Sequence, residues 1–358
     1  MGTWTRVRTG LPLALAMVWA CSPAPLQRFT FKTPPLVLAP ASATGVEDQR
    51  GRFREIFCAV NADRGARLPD HRPCDEAVAR LELEPPPSGR PVDLGPSQSE
   101  LTFVGVLGLG GNCLQNYLAP EITLPERMAV HGIRLTGIEV NGLSSSHENA
   151  ATIRRAILER EDLQGPGGLV LLGYSKGIVD ILEAIVTYPE IRSYVRAVVT
   201  VAGAVGGSHF ADEAPAWLVK VFELAPGSEC EEGDLGALES LKPGVRQRWL
   251  AEHPLPDTIR YYSVVAFPTP DRVSNGLERS YERLSQIDPR NDSQLLFYDQ
   301  IIPGSRLLGF MNADHLAIAL PIARSHPWLA EIGIDQNDFP REVLMEAIAR
   351  HVGEDLSR

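Results

Sequence analysis

The chain has 358 residues, of which 44% are hydrophobic and 22% charged. This composition is typical of a globular protein with one large core, or one core with an appendage. The formal net charge is −11 at pH 7, and lysine and arginine are not clustered. Because phosphate neutralisation needs such clusters, no nucleic-acid partner is expected.

A targeting segment is predicted at the N-terminus. Arg6 and Arg8 form a basic region, and the apolar stretch 11–20 is too short to span a bilayer. The letters VWAC resemble the bacterial lipoprotein signal, which implies that Cys21 is lipidated and becomes the mature N-terminus. Trp19 fits that pattern poorly, so a plain secretory signal is the alternative. Either signal implies removal of residues 1–20 and export, to the cell envelope as a lipid-anchored protein or to the periplasm or medium.

Two segments precede the main body of the sequence. Residues 21–46 are rich in Pro, Ala and Thr without a hydrophobic period, which indicates a tether between a membrane anchor and the folded part. Residues 47–96 are predicted to form a small helical element and a proline-rich linker.

The cysteines are interpreted as disulfides, because export favours an oxidising compartment. Apart from Cys21 there are four, and four cysteines allow three pairings. Cys58 and Cys74 flank one short segment, so we favour a bond between them, which leaves Cys113 to pair with Cys230. The spacings of cysteine and histidine are not those of a metal site, so no metal is expected.

From residue 97 to 358, short apolar runs alternate with helical patterns. The sequence predicts strands at 101–107, 133–140, 168–173, 195–202, 258–267 and 305–311, and helices at 148–159, 177–188 and 341–352. Such alternation predicts an α/β fold, with a mostly parallel sheet covered by helices on both faces. An insert over about 204–256, before the penultimate strand, combines apolar and acidic stretches and is interpreted as a lid.

The stretch GYSKG at 173–177 has the pattern G-x-S-x-G around Ser175. It follows a predicted buried strand directly and opens an amphipathic helix, which is the context that a nucleophile elbow requires. Glycines at both ends let the strand and helix pack closely while the hydroxyl projects into a cleft. Ser175 is therefore predicted to be a nucleophile.

A serine nucleophile needs a base and an orienting carboxylate. His315 follows the last predicted strand, where this kind of fold presents its base, and is preferred among the eight histidines. Three carboxylates preserve the chain order Ser, Asp, His, and we rank them Asp299, Asp271 and Asp292. Asp299 stands at the end of an apolar approach, whereas Asp292 lies in the polar stretch PRNDSQ and is interpreted as a solvated turn or helix cap.

Two backbone N–H donors are expected to bind the oxyanion. One is that of Lys176, the residue after the nucleophile. The other is assigned to the loop GLGGNC at 108–113, with Leu109 as first choice and Gly110 as second.

The chain from Leu101 to about Pro321 resembles the α/β-hydrolase superfamily, and in particular bacterial secreted triacylglycerol lipases. The resemblance is carried by the elbow and by the segments GGSHFAD (206–212), IRYYS (259–263) and MNADHL (311–316). It implies that Asp299 is the acid and His315 the base. In those lipases an aspartate tied to a calcium site lies two positions after the histidine, and here Ala317 stands there, so no calcium is expected.

These observations predict an exported serine hydrolase that cleaves carboxylic esters, with lipids or other apolar esters as substrates and without a cofactor. A second interpretation is an inactive envelope lipoprotein that uses a hydrolase fold for binding. A third takes GLGGNC as a dinucleotide loop with Glu139 on the ribose, but Cys113 replaces the third glycine and the elbow is left unexplained.

Overall fold

The computed structural model describes residues 45–81, 83–111, 113, 123–213 and 233–358. All of them belong to one compact unit, Ala39–Arg358. The predicted signal segment, the lipidation site Cys21 and nearly all of the tether lie outside the described residues. Cys230 and the middle of the predicted insert do so too.

The described strands form one sheet. They are β1 Glu47–Asp48, β2 Val78–Ala79, β3 Thr102–Val106, β4 Arg134–Gly137, β5 Leu169–Tyr174, β6 Val195–Val201, β7 Arg260–Ala266 and β8 Arg306–Met311. The order across the sheet is β1-β8-β7-β6-β5-β3-β4, all parallel, and β2 pairs antiparallel with β8. The predicted α/β architecture with a mostly parallel sheet is confirmed.

Helices cover both faces of this sheet. They are α1 Arg50–Arg64, α2 Cys74–Ala77, α3 Leu124–Ala129, α4 Ser146–Glu159, α5 Lys176–Thr187, α6 His209–Glu213, α7 Ala237–Ser240, α8 Pro243–Glu252, α9 Glu278–Ser285, α10 Ile322–Ser325, α11 Pro327–Ile332 and α12 Arg341–Leu356. Short 3₁₀ turns lie at Gly65–Arg67, Glu161–Leu163, Pro189–Tyr194, Pro270–Arg272, Asn275–Leu277 and Phe297–Gln300. In the described part of the chain, none of these helices has the length and apolar character needed to cross a bilayer.

Strand β5 shows why a parallel sheet suits this sequence. All six of its residues are buried, and they alternate between two apolar cores. Val170 and Leu172 pack in the core that contains α1 and α12, and Leu169 and Leu171 pack in the core that contains α4 and α5. A continuous apolar run is what a strand covered on both faces requires.

The N-terminal element joins the same sheet. β1 pairs with β8 at one end, and β2 pairs with β8 at the other, through Val78 with Met311 and Ala79 with Phe310. A disulfide joins Cys58 on α1 to Cys74 on α2, as predicted. These contacts protect the outer edge of β8.

Three further predicted features can be compared with the structure. Cys113 is disulfide-bonded, and its predicted partner Cys230 lies outside the described residues. The described parts of the insert, 204–213 and 233–256, contain α6, α7 and α8. The strands predicted between 101 and 311 are all present, within three residues at each end.

Candidate active site

Ser175 lies in the turn between β5 and α5, at the carboxyl edge of the sheet. Its backbone has φ 53° and ψ −125°, a strained conformation for a residue with a side chain. The residues on either side, 171–174 and 176–180, are buried, whereas Ser175 itself is partly exposed. The turn therefore points the hydroxyl away from the packed core.

The glycines on either side of Ser175 are required by close backbone contacts. A Cβ on Gly173 would lie 2.4 Å from the Cα of Ile178, and one on Gly177 would lie 2.1 Å from the carbonyl oxygen of Val106. Both distances are far below any real Cβ contact. The G-x-S-x-G spacing thus allows α5 to start directly against β3 and β5.

His315 follows β8 and reaches both Ser175 and Asp292. Its Nε2 is 3.0 Å from the Ser175 Oγ, and its Nδ1 is 2.7 Å from Oδ2 of Asp292. Because an ionised carboxylate only accepts hydrogen bonds, Nδ1 carries the proton and Nε2 is free to accept from the serine hydroxyl. The arrangement can deprotonate Ser175.

Asp292 is held by the backbone around it. It is fully buried, its Oδ1 accepts from the N–H groups of Gln294 and Leu295, and its carbonyl oxygen accepts from the His315 N–H at 2.8 Å. These bonds fix the carboxylate in the one direction that faces the imidazole.

The structure does not bring Asp299, the first choice as partner of His315, into contact with that histidine. Asp299 lies instead beside Gly206, whose N–H donates to its carbonyl oxygen, and its Oδ2 is 3.7 Å from His209 Nε2. Burial raises the pKa of Asp299 to about 7. Asp271, the second choice, is exposed in the 3₁₀ turn after β7.

The polar neighbours of Asp292 in the sequence predict a solvent-exposed turn, and the structure differs. Asn291, Asp292 and Ser293 are all fully buried; the Ser293 N–H donates to Oδ1 of Asn291, and the Gln294 N–H donates to Oδ1 of Asp292. An aspartate followed two and three residues later by bonded N–H groups is an Asx-type turn, which a buried segment can use as readily as an exposed one.

Tyr174 contacts His315 through both its hydroxyl and its ring. Its hydroxyl donates to the carbonyl oxygen of His315 at 2.7 Å, and the two rings are 5.2 Å apart. Burial raises the pKa of Tyr174 well above its usual range, so the hydroxyl remains a donor at neutral pH.

Gly108 lies directly against Ser175 and Lys176. A Cβ there would lie 2.9 Å from the Ser175 Oγ and 3.0 Å from the backbone nitrogen of Lys176. Lys176 is the first residue of α5, so its N–H has no partner within the helix. The Gly108 backbone thus lies close to both the Ser175 hydroxyl and the Lys176 N–H, and a side chain at this position would clash with them.

The hydrogen bonds of the 108–111 loop show which of the two candidate oxyanion donors, Leu109 and Gly110, already has a partner. The Gly110 N–H donates to the carbonyl oxygen of Gly142, and the Gly111 N–H to that of Gly108. Within the described residues the Leu109 N–H has no hydrogen-bond partner. Of the two donors considered for this loop, Leu109 is the one left available.

The side chain of Lys176 was not singled out from the sequence. It is fully buried, and its Nζ lies 2.6 Å from Oδ1 of Asp180, one turn further along α5. Asp180 in turn accepts from the Asn149 amide of α4. A lysine after the serine gives no sequence signal that its ammonium group is buried.

No cluster of three or more potential metal ligands occurs among the residues that the structure describes. Near His315, the buried Asp314 accepts from the N–H groups of Ser274, Leu316 and Ala317. Backbone donors thus surround this carboxylate, where a metal site would need further oxygen ligands.

The chain is similar to several proteins of known structure. The metagenomic carboxyl esterase MGS0156 is 40% identical, with a TM-score of 0.82 over 90% of this chain and 97% of that chain. The Staphylococcus hyicus lipase and EstA of Clostridium botulinum are each 12% identical, with TM-scores of 0.54 and 0.55. They cover 75% and 84% of this chain and 100% and 97% of their own, and at this identity they share the fold. No protein-family model and no curated protein matches the chain.

Proposed function

Because the chain belongs to the carboxyl esterases of the α/β-hydrolase fold, we propose that it hydrolyses its ester with Ser175 as nucleophile, His315 as base and Asp292 as orienting acid. The observation that carries this proposal is the continuous hydrogen bonding from Ser175 Oγ through the imidazole to the Asp292 carboxylate. The three residues have the chain order and elements that a nucleophile elbow calls for.

The reaction follows from these contacts. Ser175 Oγ attacks the carbonyl carbon of the ester, and its proton passes to Nε2 of His315. The tetrahedral intermediate expels the alcohol, which takes the proton from Nε2 and leaves an acyl group on Ser175. Water, activated by the same nitrogen, then attacks the acyl carbonyl and releases the acid and free Ser175. Asp292 keeps the imidazole oriented and stabilises its positive charge at each stage.

We assign the oxyanion hole to the N–H groups of Leu109 and Lys176. The Lys176 donor sits at the N-terminus of α5, where the helix dipole also favours negative charge. Gly108 begins the loop that carries Leu109 and lies against both Ser175 and Lys176, so the two assigned donors are near the position where an oxyanion on the attacked carbonyl would develop.

For substrates we propose apolar acyl esters, with lipids included. Leucines surround the oxyanion loop: Leu107 is 38% exposed next to Gly108, and Leu109, Leu235 and Leu238 pack partly buried around Leu143. An apolar wall beside the reacting carbonyl favours a hydrocarbon chain over a polar one.

We further propose export, with a lipid anchor at Cys21 and membrane association through it. Support comes from the sequence of residues 1–21 and agrees with the Cys58–Cys74 disulfide, which persists in oxidising compartments. Metabolic labelling with a radioactive fatty acid should mark the wild type and not Cys21→Ser; equal labelling would overturn the anchor.

The esterase proposal is tested with p-nitrophenyl esters of graded acyl length. Ser175→Ala should retain a thousandth of the wild-type turnover or less, on the order seen when a nucleophile is removed from a triad. Rates that rise from acetyl to longer chains would support the apolar substrate class. Equal turnover of the wild type and Ser175→Ala would refute Ser175 as nucleophile.

A further inference from the structure

A buried polar network lies under the region that we assign to the oxyanion hole. It starts at Lys176, the residue whose N–H is one of the two assigned donors. The ammonium group of Lys176 is 2.6 Å from Oδ1 of Asp180, and the side chains are 0% and 1% exposed. Removing two charges from water costs free energy that their attraction can fail to repay, so a buried ion pair is weak evidence for stability and another role is sought here.

Asn149 extends the network to a neighbouring helix. Its Nδ2 donates to Oδ2 of Asp180 at 2.8 Å and to the carbonyl oxygen of Asn141 at 2.9 Å. Asn149 is 1% exposed. A single amide group thus joins the first turn of α5 to the turn that follows β4.

The turn at 141–142 also contacts the 108–111 loop, which contains the second assigned donor, Leu109. The carbonyl oxygen of Gly142 accepts from the Gly110 N–H at 3.3 Å. A Cβ on Gly142 would lie 2.5 Å from the Gly110 nitrogen and 2.8 Å from that of Gly111, so the two backbones are in direct contact. Any shift of the turn is transmitted to Leu109, which precedes Gly110.

The two N–H groups assigned to the oxyanion are thereby connected through side chains. Lys176 carries one donor and begins the network, and the turn at 141–142 ends the network against the loop that carries the other. An oxyanion hole works only if both donors keep a fixed distance and direction, since a displacement of about 1 Å can cost a hundredfold in rate.

We propose that Lys176, Asp180 and Asn149 are positioning residues that set the relative placement of the two oxyanion donors. This inference rests on the proposed function, because it presumes that an oxyanion forms beside Ser175. None of the three side chains touches the substrate; each acts through the backbone that it holds.

The test compares Asn149→Ala with Asn337→Ala. Asn337 is also a buried asparagine whose amide makes two hydrogen bonds, with the Ala323 N–H and with Arg341, and none of its partners belongs to the site. We expect kcat of Asn149→Ala to fall about tenfold to a hundredfold with KM nearly unchanged, and Asn337→Ala to keep the wild-type kcat.

A second measurement separates positioning from a general loss of structure. Thiono esters carry C=S, which accepts hydrogen bonds more weakly than C=O, so the ratio of oxo-ester to thiono-ester turnover reports on the oxyanion hole. The ratio should shrink in Asn149→Ala and stay at the wild-type value in Asn337→Ala. If Asn149→Ala does not fold, the double variant Lys176→Met/Asp180→Leu is used, since it removes both charges without leaving one unpaired. It should lower the ratio in the same way.

The outcomes distinguish the two proposals. Equal kcat and equal ratios in the Asn149 and Asn337 variants, with Ser175→Ala inactive, would overturn the positioning role of the network and leave the proposed function standing. Full activity of Ser175→Ala would overturn the proposed function, and the network with it.

Discussion

Asp292 contacts His315 twice, once through its carboxylate and once through its backbone carbonyl. The carboxylate is 2.7 Å from Nδ1, and the carbonyl oxygen is 2.8 Å from the His315 backbone nitrogen. The second contact does not depend on the side chain, so it keeps the loop in place when the carboxylate is changed.

Because the backbone contact does not depend on the carboxylate, Asp292→Asn tests the role of the carboxylate alone. The asparagine keeps the shape and the backbone bond but can present an N–H to the imidazole, which favours the tautomer with Nε2 protonated and unable to accept from Ser175. We expect kcat to fall by about three to four orders of magnitude. Turnover of p-nitrophenyl esters gives the value, and Asp271→Asn is the control. A loss in the control equal to that in Asp292→Asn would contradict the assignment.

Gly108→Ala should block the site without unfolding the protein. The added methyl group would lie 2.6 Å from Ser175 Cβ and 2.9 Å from Oγ, directly against the hydroxyl that attacks the substrate carbonyl. We expect kcat/KM to fall about a hundredfold or more, since the reacting groups must move apart. Gly244→Ala, at an exposed position where a Cβ meets no atom within 4 Å, should keep full activity. Circular dichroism checks the fold, and an active Gly108→Ala would place the substrate elsewhere.

Asp299 should make stability depend on pH. Burial raises its pKa from 3.8 to about 7, so the folded state holds a proton that the unfolded state has released. This stabilisation is present below about pH 4 and is lost as pH rises to about 7. Nearby His209 does not offset it, because burial lowers the pKa of that imidazole and leaves it neutral in the upper part of this range.

Asp299→Asn removes this titration. The free energy of unfolding of Asp299→Asn minus that of the wild type should therefore increase by about 2–3 kcal/mol between pH 5 and pH 8. Chemical denaturation at the two values measures it, and a difference between the two proteins that does not change with pH would be inconsistent with a protonated Asp299. Ester turnover at neutral pH should stay near the wild-type value.

The Cys58–Cys74 disulfide should contribute to stability more than to turnover. It closes a loop with a sequence separation of 16, and the chain-entropy model gives about 3 kcal/mol for a loop of that size. Cys58→Ser/Cys74→Ser should lose about that much in denaturant unfolding. Turnover at 25 °C should remain, since neither cysteine is in contact with the site residues; an inactive but folded double variant would show a role in placing His315.

The core strands and the elbow were predictable because each has a strong local signal. Val170 to Leu172 belong to a continuous apolar run, and Gly173 and Gly177 bracket the serine at the one spacing that the packing allows. The position of His315 after the last strand predicts that it lies near Ser175, and its Nε2 is 3.0 Å from Oγ. In each case the information lies within a few residues along the chain.

The remaining features depend on contacts between distant segments. The burial of Asp292 comes from the packing of the whole 288–299 segment, which local polarity conceals. Asp180 and Asn149 meet although they are 31 residues apart, and β1 and β2 are each two residues long, too short to show alternation. Sequence patterns record which face of an element is apolar, and they do not record which polar groups will find one another.

The pairing of β1 and β2 with β8 also limits the order in which the chain is completed. Strands at 47–48 and 78–79 pair with the strand at 306–311. The first described strands therefore cannot pair until β8, near the C-terminus, has been synthesised. During synthesis from the N-terminus, the first helix and its disulfide loop emerge long before their sheet partner exists. The N-terminal element of the nascent protein is therefore expected to stay unpaired with the sheet until β8 is made. The loop that carries His315, which follows β8, is expected to be among the last parts to fold.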